Sequence, residues 1–87
     1  MFNKEDFQNG MVIELNTGRR RLFWNGRLMD EYGYIPIDCI DEDFHIVDTI
    51  NEQYIVKVFL THDIGYLGSF FRDENLTCIW RREGWGE

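Results

Sequence analysis

Met11–Asp30 reads MVIELNTGRRRLFWNGRLMD, and its alternation decides the fold class. Met11, Ile13 and Leu15 share one side of an extended chain, with Val12, Glu14 and Asn16 on the other. That period of two is the mark of a β-strand. Thr17-Gly18 reads as a turn, and Arg19–Trp24 as the next strand. Asn25-Gly26 is the strongest hairpin signal in the chain, because both residues tolerate positive φ. Arg27–Asp30 then returns.

Two-residue turns would set the register. Glu14 then faces Arg21, Ile13 faces Leu22 and Met11 faces Trp24. Across the second turn Trp24 faces Arg27, Leu22 faces Met29 and Arg21 faces Asp30. One face is expected to carry Met11, Ile13, Leu15, Leu22, Trp24 and Met29. The other places Arg21 between Glu14 and Asp30. Each such opposite-charge pair contributes a few tenths of a kcal/mol, up to about 1.

Working outward, Met1–Gly10 predicts one helical turn, with Asn3 as N-cap, Glu5 and Asp6 in the first turn and Gly10 as the stop. Downstream, Gly33 and Pro36 break the pattern before Ile35–Ile40, and Asp41-Glu42-Asp43 is an acidic loop. Phe44–Ile50 is a candidate strand and Asn51-Glu52 a candidate turn. Tyr54–Leu60 (YIVKVFL) is a strand rich in β-branched and aromatic residues, apolar on both sides of Lys57 and therefore central. Leu67–Arg72 is a candidate helical turn, and Leu76–Arg82 (LTCIWRR) the last strand. Closely spaced strands with turns between them predict one mainly β domain over residues 1–87. Its expected form is an antiparallel meander curling into an SH3-like barrel or sandwich.

Composition narrows the function classes. The 87 residues bound one small core, and aromatics at 16% help a short chain build it. Sixteen acidic against nine basic residues give a net charge of −7. Such a chain is poorly suited to direct DNA binding or to an anionic membrane, and well suited to a basic protein surface. No secretory signal is present, and no run approaches the ~18 apolar residues of a membrane span. A cytoplasmic protein with Cys39 and Cys78 as free thiols is expected.

The elements Lys4-Glu5-Asp6-Phe7, Gly10-Met11, Tyr54-Ile55-Val56-Lys57-Val58 and Asn75-Leu76-Thr77-Cys78-Ile79-Trp80-Arg81-Arg82 together span most of the chain. In these the chain resembles a group of small uncharacterised phage and prophage proteins of Gram-positive bacteria. The group shares a "KEDL-x-x-GM" opening, an "FDIV-x-V" strand and a closing "NLxxIWxR" strand. Residues 61–70 depart from that pattern. The resemblance implies a phage-borne accessory protein. It raises a counter-defence role, such as an anti-CRISPR-like inhibitor or a sponge for a nucleotide immune signal. It transfers no functional residues.

Three clusters carry candidate chemistry. Residues 30–52 hold Asp30, Glu31, Asp38, Asp41, Glu42, Asp43, Asp48 and Glu52, with no Lys or Arg. Asp38, Asp41, Glu42 and Asp43 can imitate nucleic-acid phosphates and occupy a basic groove of a host defence protein. Trp80, Arg81, Arg82 and Trp85 form a C-terminal group, in which Trp80 is expected in the core and Trp85, between Gly84 and Gly86, is an aromatic anchor for the same partner. Arg19, Arg20 and Arg27 with Trp24 are the alternative. Arginine forks suit the phosphates of a nucleotide signal, and an indole stacks on a base. A homo-oligomer would supply that ligand with a pocket between subunits.

The competing structural readings are ion pairs for the arginines and a solvated surface for the acids. Cys39, His45, His62 and Cys78 lack the spacing of a zinc site, and Asp41-Glu42-Asp43 lacks the glycine and distal Glu of a calcium loop, so no metal is expected. No nucleophile elbow, P-loop or dinucleotide fingerprint is present, which leaves no catalytic residue or cofactor to name.

Overall fold

The structure, a computed structural model, describes residues 2–47, 52–62 and 72–85. Seven strands make one antiparallel sheet: β1 (Met11–Leu15), β2 (Arg20–Trp24), β3 (Arg27–Asp30), β4 (Gly33–Pro36), β5 (His45–Ile46), β6 (Gln53–Thr61) and β7 (Leu76–Arg81). The order is β4-β3-β2-β1-β6-β5, with β7 also paired to β6. The sheet curls into a half-barrel, the mainly β architecture expected from the alternation. Helical structure among the described residues is confined to the 3₁₀ turns Lys4–Asp6, Ile37–Cys39 and Asp73–Asn75. No helix there is long and apolar enough to cross a membrane.

β6 is the axis. β1 lies along one of its edges, and β7 and β5 share the other, over Lys57–Thr61 and Gln53–Tyr54. The central position read from its apolar sequence is observed. β4 ends the sheet at Pro36, which has no N–H to offer a further strand.

The second hairpin forms as expected. Asn25 (φ 50) and Gly26 (φ 78) make the two-residue turn, and Leu22, Phe23 and Trp24 pair with Met29, Leu28 and Arg27. The first hairpin differs by one residue. Val12 faces Leu22, Ile13 faces Arg21 and Glu14 faces Arg20. The loop is closed by the Leu15 N–H donating to the Arg19 carbonyl at 2.8 Å, and Gly18 (φ 91) takes the left-handed position of a three-residue loop.

Asn16 is the reason. Its N–H donates to the Tyr54 carbonyl at 2.9 Å, and its Oδ1 accepts from the Tyr54 N–H at 3.0 Å. Asn16 is thus paired with β6 rather than with Arg19. Leu22, Trp24 and Met29 consequently leave the face expected for them. They share the outer face with Val12, while Phe23 and Leu28 join Met11, Ile13 and Leu15 inside.

Two other expectations change. Gly33 and Pro36 are the ends of a strand rather than breaks before one, and residues 37–39 form a 3₁₀ turn. The strand expected over Phe44–Ile50 is described only at His45–Ile46. Residues 48–51 lie outside the described residues, as does the candidate turn at 67–71. The N-terminal turn is present at Lys4–Asp6 with Asn3 as N-cap.

The core joins the inner face of the sheet to the loops that cross it. Ile13, Leu15, Leu28, Ile40, Ile55 and Val58 are no more than 1% exposed. Phe7 stacks on Phe23 at 5.3 Å between centroids, and Phe44 meets Phe2, Phe7 and Trp80 at 6.2, 5.9 and 5.1 Å. These rings tie the N-terminal turn and the loop before β5 to β2 and β7.

On the inner face Asp30 pairs with two arginines. Asp30 Oδ1 accepts from the Tyr32 and Gly33 N–H groups at 2.8 and 3.1 Å. Its Oδ2 lies 3.1 Å from Arg19 Nε and 3.6 Å from Arg21 Nη2. The Arg21 and Asp30 side chains are 11% and 6% exposed. Asp30→Asn keeps the turn-forming acceptor but removes the counter-charge of Arg21. It is expected to lower unfolding free energy by roughly 3 kcal/mol. Arg19→Gln, at a side chain 47% exposed, is expected to cost under about 1 kcal/mol. Urea unfolding followed by tryptophan fluorescence measures both, and equal losses would refute the contrast.

Candidate functional site

The acidic segment does not form one uniform patch. Asp30 is internal, held by its turn and its arginines. Asp38 is exposed on the Ile37–Cys39 turn, separated from the loop by the buried Ile40. Asp41, Glu42 and Asp43 are exposed, but Asp41 has a structural task. Its Oδ1 accepts from the Asp43 and His45 N–H groups, both at 2.9 Å. The His45 hydrogen bond, with that of Asp43, holds the Asp41 carboxyl below the usual aspartate value against the opposing effect of burial. Glu42 and Asp43 are the loop's outward acids.

Phe44 shapes this loop from beneath. It is 4% exposed and takes φ 65, a left-handed conformation costly for a bulky residue. Burial against Phe2, Phe7 and Trp80 offsets that cost, and the Phe44 carbonyl accepts from the Ile55 N–H at 2.8 Å. Lys4 Nζ donates to the Ile40 carbonyl, bringing a cation from the N-terminal turn to the loop's base.

Arg82 joins the loop to the C-terminal aromatics. Its Nη2 donates to the Asp43 carbonyl at 2.7 Å and its Nε to the Ile55 carbonyl at 3.0 Å. The guanidinium lies 5.0 Å from the Tyr54 ring centre and 5.9 Å from that of Trp80. Trp85 meets Tyr54 edge-on at 6.1 Å and stays 37% exposed. His45 packs on the same tyrosine at 5.1 Å, with Nδ1 4.0 Å from Asp41 and Nε2 3.5 Å from Glu52. Asp41, Glu42, Asp43, Glu52 and Trp85 therefore gather around Tyr54 and Arg82 as an acidic–aromatic rim.

The sequence groups Glu52 with Asp41 and Asp43, and Arg82 with Trp85, but it names neither His45 nor Tyr54 as their companion and does not join Arg82 to the acidic loop. Arg82 and Asp43 lie 39 positions apart, and no local pattern connects them. Among the described residues no three His, Cys, Asp or Glu side chains gather as a metal site.

The arginine cluster is divided by strand alternation. Arg20 is on the outer face, 2.9 Å from Glu14 and 2.7 Å from Asp73, with its guanidinium 5.1 Å from the Phe59 ring centre. Burial opposes its charge, but the hydrogen bonds to Asp73 and Glu14 outweigh it and raise its pKa. Arg19 binds Asp30 and covers Tyr32. Arg21 is the buried member, and burial lowers its pKa against the pull of Asp30. The expected placement of Arg21 between Glu14 and Asp30 is corrected, because the one-residue shift gives Glu14 to Arg20 and leaves Asp30 to Arg21. Of the alternative set Arg19, Arg20, Trp24 and Arg27, only Trp24 and Arg27 are cross-strand partners.

Asp41→Ala removes the loop's internal acceptor, so it should lower stability at neutral pH. The folded-state pKa of Asp41 is depressed, so its charge contributes above the ordinary aspartate value of 3.8. That contribution disappears as pH falls through the folded value. The gap in urea midpoint between wild type and variant is therefore expected to narrow below that pH. A gap independent of pH would contradict the charged role of Asp41. Compared with known proteins, the chain matches no family model, no curated protein and no solved structure.

Proposed function

We propose that the chain is a non-enzymatic binding protein of the phage-accessory kind it resembles. Its acidic–aromatic rim occupies a basic surface of a host antiviral defence protein, in the manner of an anti-CRISPR-like inhibitor. The observation that carries this reading is the Arg82 clamp. One side chain holds the Asp43 backbone and stacks on Tyr54, so an exposed tryptophan stands beside outward carboxylates. Aromatic anchors ringed by charge are what a protein interface needs for affinity and for steering.

The loop is also held in place before any partner arrives. Phe44 pins it below, Asp41 ties its backbone, and Arg82 binds its edge. Little ordering remains to be done on binding, which favours affinity.

The test is affinity capture from a Gram-positive host, followed by titration of the purified chain against the captured protein. Asp38→Asn/Glu42→Gln/Asp43→Asn leaves Asp41 and the loop intact. It is expected to weaken binding about tenfold or more and to flatten its salt dependence between roughly 50 and 300 mM. Trp85→Ala should weaken binding by a similar factor with the salt dependence retained. Unchanged affinity in the triple variant would overturn the acidic-rim reading.

A further inference from the structure

Trp24 stands on the outer face, away from the acidic loop's hydrogen bonds, and is 40% exposed. Beside it opens a cleft of about 280 Å³, lined by Gln8, Asn9, Met11, Leu60 and Thr61 together with Gly10 and Trp24 itself. None of these residues is charged, in a chain where 29% of residues are. The volume lies just below the roughly 300–1,000 Å³ of small-molecule sites, enough for one ring system.

Arg27 is the cross-strand partner of Trp24 in the Asn25-Gly26 hairpin. Side chains so paired stand about 5 Å apart at Cβ. Among the described residues Arg27 has no carboxylate partner, unlike Arg19, Arg20 and Arg21. Its guanidinium is held over the exposed Tyr34 ring at 5.0 Å. Trp24 thus stands with a neutral cleft on its β1 side, at the end of the sheet where Met11 and Leu60 pair, and an arginine on its β3 side.

We propose that this face is a nucleotide site, in which Trp24 stacks on a base and Arg27 holds the phosphate. An indole stacks on any base, and the guanidinium fork suits phosphate oxygens. The Gln8 amide supplies a polar group at the cleft for a base edge. Asn9 holds the wall of the cleft instead, its Oδ1 accepting from the Asn25 N–H at 2.7 Å and its Nδ2 donating to the Asn25 Oδ1 at 3.3 Å. The net charge of −7 does not forbid an anion here. Fields are screened within about 8 Å at physiological ionic strength, and the cleft lining contributes no acid. The proposal is independent of the acidic-rim reading.

The test follows the indole N–H signals of Trp24, Trp80 and Trp85 by NMR while the full chain is titrated with AMP, then with adenosine. AMP is expected to shift the Trp24 signal saturably, with Trp80 and Trp85 little changed. Adenosine should bind several-fold more weakly, as should AMP to Arg27→Gln, by about tenfold at most. Unmoved Trp80 and Trp85 signals in the variant show that it is folded. Asp38→Asn/Glu42→Gln/Asp43→Asn should bind AMP normally, so the two surfaces fail separately. No saturable shift by ~10 mM AMP, equal binding of adenosine, or unchanged binding to Arg27→Gln would overturn the proposal. So would a Trp24 shift obtained with N-acetyl-Phe-Asp-amide and not with AMP, which would assign the cleft to a protein partner.

Discussion

Asn16 sets much of what this sheet presents to solvent. By pairing with Tyr54 through both backbone and side chain, it extends the contact between β1 and β6 and takes itself out of the first hairpin. The loop must then close between Leu15 and Arg19. Because side chains alternate along a strand, this single residue of register sends every β2 side chain to the face opposite the one a two-residue loop would give. Trp24 moves out, Phe23 moves in, and the arginine run is split between a buried ion pair and an outer one.

The acidic loop shows how strain and packing are balanced. Phe44 accepts an unfavourable backbone conformation because its ring packs on Phe2 and Phe7 of the N-terminal segment and on Trp80 of β7. The same residue reverses the chain direction so that Glu42 and Asp43 point outward. Arg82 completes the arrangement from a distant part of the chain. Its charge is spent on two backbone carbonyls and two aromatic faces. Arg82 therefore cross-links the fold through neutral partners.

Two surfaces of different chemistry result on one small sheet. The rim around Tyr54 is acidic and partly aromatic, while the cleft beside Trp24 has no charged residue in its lining. On the inner face Asp30 is held by Arg19 and Arg21 and contributes to neither surface.

The sequence by itself determined the mainly β architecture, because alternation in Met11–Leu15 and the Asn25-Gly26 turn are local properties of the chain. The centrality of the strand around Lys57, the N-cap at Asn3 and the second hairpin's register were legible for the same reason. So was the exposure of Asp38, Glu42, Asp43 and Trp85. The first hairpin's register was not, since Thr17-Gly18 suits loops of two or three residues. A contact with Tyr54, 38 positions away, made the choice. The grouping of Trp85 with the acidic loop through Arg82, and the release of Arg27 from the arginine cluster, were likewise decided by tertiary structure. Each depends on which strands lie side by side, and that order is set by burial of the whole inner face rather than by any local run of residues.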